Sequence, residues 1–225
     1  MSRDVTQLVV DAERLLMVLG DATLQPFVIG SDGVCDPLKL MDWNRQAAGA
    51  VLETLAMVEL VVRQAMNSVL TEWAVERAPK HWLQIVDLDL QMRQTVQRAV
   101  KTAYGSRSKD NMELVPYHLP FGFWRYLISP RRHAALWVPA LHKAFPYGNT
   151  DLVHRRQEAA RDMETLVRLR NRVAHHDPIF RRDLLMDYQV ALRLCRSIDP
   201  VAGDWIKRNS RLPELANSNP LVRKL

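Results

Sequence analysis

The sequence contains little of what marks several classes of protein. It has two cysteines, Cys35 and Cys195, and neither belongs to a CxxC or CxxH pattern, so we expect structural thiols rather than disulfides or a zinc site. It has eight glycines, no tandem repeat, no low-complexity block and no apolar–polar alternation typical of strands. The phosphate-binding sequence GxxxxGK[ST] is also missing, so no nucleotide cofactor is expected.

Long hydrophobic runs are missing too. No window of about 18 uncharged apolar residues occurs, so no membrane span is predicted. The apolar stretch near the N-terminus is interrupted by Asp11, Glu13 and Arg14 and is not followed by a small-residue cleavage site, unlike a secretory signal. We therefore expect a cytoplasmic protein with one domain over residues 1–210 and a poorly ordered C-terminal tail over residues 211–225.

Charge is distributed unevenly along the chain, whose formal net charge is +6. Residues 1–100 contain 9 Lys and Arg against 13 Asp and Glu, a net charge of −4, whereas residues 101–225 contain 22 against 12, a net charge of +10. A basic surface attracts polyanions, of which nucleic acid is the most common. The charge therefore predicts that contacts with nucleic acid belong to the C-terminal half.

The residues that are abundant form helical patterns. Apolar residues recur every three or four positions, and 48% of the chain is hydrophobic, so we predict an all-α bundle. Residues 26–37 contain prolines and glycines and are predicted to be a loop, as are the polar residues 105–111. Residues 119–146 are rich in aromatic side chains and are divided into short pieces by prolines. The predicted helices cover residues 6–19, 42–77, 89–104, 150–176 and 182–197, and Asp42 is expected to cap the second of them.

One stretch, VRLRNRVAHHDPIF at residues 167–180, has an unusual order of residues. Arg170 falls on the apolar stripe of the predicted helix, where an unpaired charge is costly unless it finds a carboxylate such as Glu59. Asn171 and His175 are four residues apart and share a face. The following Asp177-Pro178 predicts that the helix ends here. The stripe passes through Ala159, Met163, Leu166, Val167, Val173 and Ala174.

Arg170 and His175 together suggest phosphodiester chemistry without a metal ion. An arginine can bind the non-bridging oxygens and stabilise charge at phosphorus, and a histidine can move a proton near neutral pH. The simpler alternative for His176 is that it caps the last carbonyls of the helix and interacts with the helix dipole.

The same residues carry a family resemblance. Arg170-Asn171-Arg172-Val173-Ala174-His175 resembles the R-x(4–6)-H motif of HEPN-domain ribonucleases. The segment PFGFWRYLISPRRHAALWVPALHKAFP resembles the aromatic signature of Abi-like proteins, the phage abortive-infection branch of that superfamily. The segment WNRQAAGAVLETLAMVELVVRQAMNSVL resembles the long early helix of this branch, with Arg63-Gln64 where the family usually has Arg-Asn. The matched parts run from about residue 40 to residue 198.

The resemblance implies a HEPN-type helical bundle with an extra aromatic-rich segment, acting as a metal-independent endoribonuclease toxin in phage defence or in a toxin–antitoxin system. It implies that Arg170 and His175 are catalytic and that the 2′-hydroxyl attacks the adjacent phosphate to leave a 2′,3′-cyclic phosphate. It further implies a homodimer, no metal cofactor, and an antitoxin partner made of protein or RNA. Asn171, His176, Glu59 and Arg63 are the expected supporting residues.

Other residues near the motif are candidates for binding RNA. Four arginines are expected to contact phosphates, with a solvated basic face as the alternative; they are Arg168, Arg172, Arg181 and Arg182. Four aromatic side chains could stack on bases, but packing in the core is the expectation; they are Phe121, Phe123, Trp124 and Trp137.

Two other functions remain open at the level of sequence. His176-Asp177 could belong to a metal-dependent HD phosphohydrolase, with His154 and Asp187 as further ligands, although Pro178 abuts the pair. A HEPN-type module could also bind RNA or a protein without cleaving anything, because motif residues can persist in an inactive fold.

Overall fold

The computed structural model describes Arg14, residues 17–105 and residues 112–221. Regular structure in these parts of the chain is entirely helical and contains no strand, which confirms the predicted all-α class. The helices are α1 (Asp21–Ser31), α2 (Pro37–Val75), α3 (Trp82–Ile85), α4 (Leu90–Tyr104), α5 (Phe121–Leu127), α6 (Leu152–Ala174), α7 (Leu184–Ile198), α8 (Pro200–Asn209) and α9 (Leu212–Asn217).

Helix α2 is the central element. Its 39 residues give it a length of about 58 Å. The carboxylate of Asp36 accepts a hydrogen bond from the Leu38 amide at 2.9 Å, and Pro37 occupies the first turn, where a missing N–H is harmless. The predicted helix over residues 42–77 is thus confirmed but begins earlier. Asp42 does not cap it; its carboxylate accepts from the side chains of Arg45 and Gln46.

Helix α6 runs antiparallel to α2. The Ile179 amide, just beyond α6, donates to Asn44 Oδ1 near the start of α2 at 2.7 Å. Arg170, one turn before the end of α6, interacts electrostatically with Glu59, farther along α2. Residues later in α2 thus lie beside residues earlier in α6, and the C-terminal end of α6 lies over the first half of α2.

The aromatic-rich segment forms one side of the core. It consists of α5 and of short helical turns at Pro130–Arg132, His133–Trp137 and Leu141–Ala144, which confirms the predicted division into short pieces. Trp82 and Trp124 are in ring contact at 5.8 Å, and the Trp137 indole donates to the Leu152 carbonyl at 2.8 Å. The four aromatic side chains named as stacking candidates are at most 3% exposed, so the packing interpretation is the one confirmed.

The predicted loop over residues 26–37 was wrong in its first half, whereas residues 32–36 are not helical. Residues 26–31 belong to α1, which contains Pro26. Packing outweighs the local signals, because Phe27 contacts Phe180 with ring centroids 5.5 Å apart and Gly30 lies directly under the Phe180 ring. A Cβ at Gly30 would be 2.3 Å from Phe180 Cζ, so only glycine allows this approach.

The C-terminal segment is also more ordered than predicted. Residues 212–217 form α9, and Leu212 is 2% exposed. The Trp43 indole donates to the Leu215 carbonyl at 2.9 Å, and the Asn219 side-chain amide donates to the Phe180 carbonyl at 2.9 Å. Residues 212–221 therefore pack against the domain instead of forming a loose tail.

The remaining predictions have different outcomes. The helix over residues 89–104 is confirmed as α4, with Asp89 accepting from the Met92 amide at 2.9 Å. The predicted helix over residues 6–19 and the predicted loop over residues 105–111 fall mostly outside the described residues. None of the helices described is long and apolar enough to cross a bilayer.

Burial raises the pKa of the Cys195 thiol to about 12, as suits a structural cysteine.

Candidate active site

Helix α6 ends in a Schellman motif built around two histidines. The Asp177 amide donates to the Arg172 carbonyl at 2.9 Å, and the His176 amide donates to the Val173 carbonyl at 3.1 Å. His176 has a φ of 59°, the left-handed conformation that glycine usually supplies at this position. The predicted stop is thus confirmed, and both histidines are exposed at the end of the helix.

Arg170 is exposed, so the prediction that it lies on the buried stripe was wrong. The predicted stripe is otherwise largely buried, since Ala159, Met163, Leu166 and Val173 lie in the core together with Leu169, whereas Ala174 is exposed. No buried carboxylate is needed to compensate Arg170. Apart from the electrostatic interaction with Glu59, no hydrogen bond or ion pair within the described part of the chain occupies the side chain of Arg170 or His175.

Glu59 and Arg63 on α2 lie close to Arg170. Burial raises the pKa of the half-buried Glu59 carboxyl, and the positive charges of Arg170 and Arg63 oppose this rise. The Nε atom of Arg63 is buried and has no hydrogen-bond partner among the residues that the structure describes. The predicted supporting pair is therefore placed beside Arg170, with one carboxylate between two guanidinium groups.

His175 lies on a different side of α6 from Arg170. Five residues at about 100° each place their side chains roughly 140° apart around the helix axis. His175 instead shares the outer, solvent-facing side of α6 with Asn171, whose carbonyl accepts the His175 amide at 3.0 Å. Arg170 therefore lies on the side of α6 near Glu59 of α2, and His175 lies on the outer side.

The four arginines predicted to bind RNA have separate environments. Arg168 Nε donates to Glu164 at 2.7 Å, and Arg172 donates to the Pro178 carbonyl at 2.8 Å. Arg181 lies over the Phe180 ring. Arg182 donates two hydrogen bonds, at 2.5 and 2.7 Å, to Asp187, whose side chain is only 5% exposed. Arg182 is therefore a structural ion-pair partner, and RNA contacts by the other three stay a prediction.

The residues named for an HD-type metal site are far apart. His154 occupies the first turn of α6, and His176 follows its last residue, so a 23-residue helix separates them by about 30 Å. The His154 ring contacts Asp151 at 3.0 Å, and Asp187 is paired with Arg182. Within the ranges 17–105 and 112–221, no group of three His, Cys, Asp or Glu side chains could hold a metal ion.

An apolar groove adjoins the histidine end of α6. It has a volume of about 650 Å³ and lies between α1, α2 and the turn after α6, with Phe27, Met41, Leu52, Val173 and His176 in its wall. A larger cavity of about 1020 Å³ lies at the opposite end of α2, around His81. The smaller groove is the one next to the candidate residues.

One part of the site was not predicted from sequence. Arg125, in α5, contacts Glu164 Oε2 at 2.5 Å, while Arg168 occupies the other oxygen of the same carboxylate. The spacing of Glu164 and Arg168 is a recognisable i, i+4 pair, but the contact with Arg125 depends on how α5 packs against α6. We call these three residues the arginine clamp.

No protein-family model, no curated protein and no solved structure matches the chain.

The raised pKa of Glu59 predicts how stability depends on pH. The folded state holds this proton more tightly than the unfolded chain, whose glutamate has the ordinary value of about 4.5. Stability is therefore greatest below pH 4.5 as far as Glu59 is concerned, and is lost as pH rises through the pKa of the folded state. We expect Glu59→Gln to remove this loss and to raise the free energy of unfolding at pH 7.

Urea unfolding of both proteins between pH 4 and pH 8 measures this difference. The partly exposed Glu53, which is paired with Arg211 and has a lowered pKa, supplies the control, because Glu53→Gln should destabilise at pH 7 instead. Parallel pH profiles for Glu59→Gln and the parent would contradict the assignment of a strained carboxylate.

Proposed function

We propose that the chain is a metal-independent endoribonuclease of the HEPN type, which arrests growth in phage defence or as the toxin of a toxin–antitoxin system. The observation that carries the proposal is the exposed end of α6, where Arg170 and His175 occur five residues apart in the motif and neither side chain has a hydrogen-bond or ion-pair partner among the described residues. Unpaired cationic and imidazole groups at a helix end are available to a phosphodiester.

The proposed reaction needs two groups. Arg170 binds the non-bridging oxygens and stabilises the charge that develops at phosphorus. His175 accepts the proton of the ribose 2′-hydroxyl, whose oxygen forms a bond to phosphorus as the bond to the 5′-oxygen breaks. The imidazolium of His175 returns this proton to the leaving oxygen, and the products are a 2′,3′-cyclic phosphate and a 5′-hydroxyl.

Glu59 and Arg63 orient Arg170 in this proposal. The half-buried Glu59 carboxylate attracts both guanidinium groups electrostatically, and a guanidinium that is held near its working position loses less entropy when it binds a phosphate. Asn171, on the same face as His175, is the candidate to orient the RNA beside the imidazole. Removing Arg170 should raise the pKa of Glu59 further, since one of the two opposing charges is lost.

The active form in this proposal is a homodimer. Arg170 and His175 point to sides of α6 about 140° apart, so two α6 helices that meet end to end would bring the arginine of one protomer towards the histidine of the other. A toxic ribonuclease also needs restraint, and we propose an antitoxin of protein or RNA as the partner. The basic C-terminal half of the chain suits an RNA substrate.

Chelation tests the absence of a metal from the reaction. We expect the purified protein to cleave RNA at an unchanged rate in EDTA and to leave ends that are a 2′,3′-cyclic phosphate and a 5′-hydroxyl. Activity that is abolished by EDTA and restored by a divalent cation would contradict the proposal and would indicate metal-dependent hydrolysis instead.

A non-catalytic RNA-binding module is the second candidate. The wide angle between Arg170 and His175 in one protomer favours it, because a module that only binds RNA does not need both groups at one phosphate. Binding of RNA by a protein that cleaves none, in the presence or absence of divalent metal, would select this candidate.

A further inference from the structure

The outer face of α6 carries a basic strip that leads to His175. By helical position this face includes Arg161, Glu164, Arg168, Arg172 and His175. Arg161, Arg168 and Arg172 are exposed, and Glu164 is the acidic member of this set. The strip points away from the core, so it is open to a large ligand.

The arginine clamp lies on this strip. The Nε atoms of Arg125 and Arg168 lie 2.5 and 2.7 Å from different oxygens of Glu164, and Arg168 donates a hydrogen bond there. Both oxygens of the carboxylate are therefore occupied by Nε atoms. The terminal Nη groups of the two guanidiniums have no hydrogen-bond partner in the described part of the chain. Their side chains are 44% and 74% exposed, whereas that of Glu164 is 29% exposed.

This arrangement is poorly suited to stabilising the fold. Exposed ion pairs contribute about 0–1 kcal/mol, and two cations around one anion leave a net positive charge. What the arrangement does provide is two guanidiniums held in place with free terminal donors. Guanidinium groups bind phosphates through such N–H donors, and fixing the donors beforehand reduces the entropy lost on binding.

We propose that the arginine clamp binds a backbone phosphate of the RNA substrate, away from the cleaved bond, and that the strand follows the outer face of α6 to His175. This inference rests on the proposed ribonuclease function. Arg168 and His175 are seven residues apart, about 10 Å along the helix. That distance exceeds the axial rise of one nucleotide in a stacked strand, about 3.4 Å, so the clamp and the histidine cannot contact the same phosphate. The preferred substrate is therefore an RNA of more than two nucleotides.

Comparing a dinucleotide with a decanucleotide RNA tests the proposal. Arg125→Ala should raise KM for the decamer about tenfold, the effect of one charge-assisted hydrogen bond, and leave kcat unchanged. The dinucleotide cannot reach the clamp, so its kcat/KM should be the same in the variant and the parent. The slope of log KM for the decamer against log salt concentration should fall by about 1.

Arg168→Ala should give the same pattern and serves as the second variant if Arg125→Ala does not fold. The matched control is Arg211→Ala, since Arg211 is an exposed arginine bonded to one carboxylate, Glu53, and is not on α6. An unchanged KM for the decamer in both clamp variants would overturn the proposal. An equal loss with the dinucleotide would overturn it too, because the arginines would then act at the cleavage site or through the fold.

A binding measurement separates this proposal from the proposed function. Fluorescence anisotropy with a labelled decamer reports the dissociation constant without any cleavage. If the parent cleaves no RNA but Arg125→Ala weakens decamer binding about tenfold, the clamp is supported and the ribonuclease function fails. If the parent and Arg125→Ala bind the decamer equally, the clamp proposal fails whether or not RNA is cleaved.

Discussion

Alanine in place of His175 or Arg170 is expected to abolish RNA cleavage and growth arrest. Loss of a general base typically lowers the rate by about 10² to 10⁴, and loss of a group that stabilises charge at the reacting centre lowers it by about 10² to 10³. Because both groups act on one phosphate in the proposed mechanism, the double variant should lose little more than the worse single variant. Initial rates on a labelled RNA measure all three.

The fold should survive these substitutions. Both side chains are exposed, and exposed positions away from special features usually change the free energy of unfolding by less than about 0.5 kcal/mol. Urea unfolding of each variant therefore separates a catalytic defect from a folding defect. Variants that stay as toxic as the parent would mean that the catalytic assignment is wrong.

His176→Gly is the matched control for His175→Ala. His176 adopts a φ of 59°, which favours glycine, so this change should stabilise the protein by about 1 kcal/mol and leave cleavage nearly intact. If His176→Gly lost activity and His175→Ala kept it, the general base would be His176 instead of His175.

Alanine in place of Arg182 is expected to have the largest effect on stability. The side chain of Asp187 is only 5% exposed, and its carboxylate accepts two hydrogen bonds from the guanidinium of Arg182. Removing the arginine leaves a buried charge without a partner, which costs about 3–5 kcal/mol. We expect urea or thermal unfolding to show this loss. Any loss of RNA binding in this variant should follow the loss of folded protein.

Two further variants test whether Arg182 stabilises the fold through Asp187. Replacing both partners, Arg182→Met with Asp187→Leu, should recover most of the lost stability, because an apolar pair of similar volume leaves no buried charge. Arg181→Ala, at the exposed neighbour over Phe180, should cost no more than about 1 kcal/mol. A stable Arg182→Ala protein that has lost only RNA binding would contradict the structural role and restore the original prediction of a phosphate contact.

Helices with strong amphipathic patterns and clear caps could be predicted from the sequence. The patterns of α2, α4 and α6 extend over four or more turns, and Asp89 and the Asp177-Pro178 pair mark ends that the structure retains. The start of α2 was missed by five residues because Asp42 also satisfies the local rule for a cap. The choice of Asp36 follows from Pro37, which suits the first turn of a helix.

Helices that form because of contacts with residues distant in the sequence could not be predicted. Pro26 and Gly30 are local signals for a loop, yet α1 forms because Phe27 and Gly30 pack against Phe180, about 150 residues later in the sequence. The segment around α9 likewise depends on the contact of Leu215 with Trp43. The spacing of residues within one helix does not indicate such long-range contacts.

The candidate site divides in the same way. The sequence predicted that Arg170, Asn171 and His175 lie at the end of a helix and that Glu59 lies near Arg170, and the structure places them there. It did not predict that Arg170 is exposed, because the buried side of α6 is set by α2 and α7 rather than by the pattern of α6 alone. Nor did it predict Arg125 beside Glu164, which is a contact between two helices.

Sequencing of RNA 5′ ends after brief induction tests the central claim most directly. Expression of the parent protein should produce new 5′-hydroxyl ends at defined positions within minutes, and expression of His175→Ala at the same level should produce none of them. Identical sets of RNA ends in the two cultures would contradict the account of this protein as a ribonuclease that depends on His175.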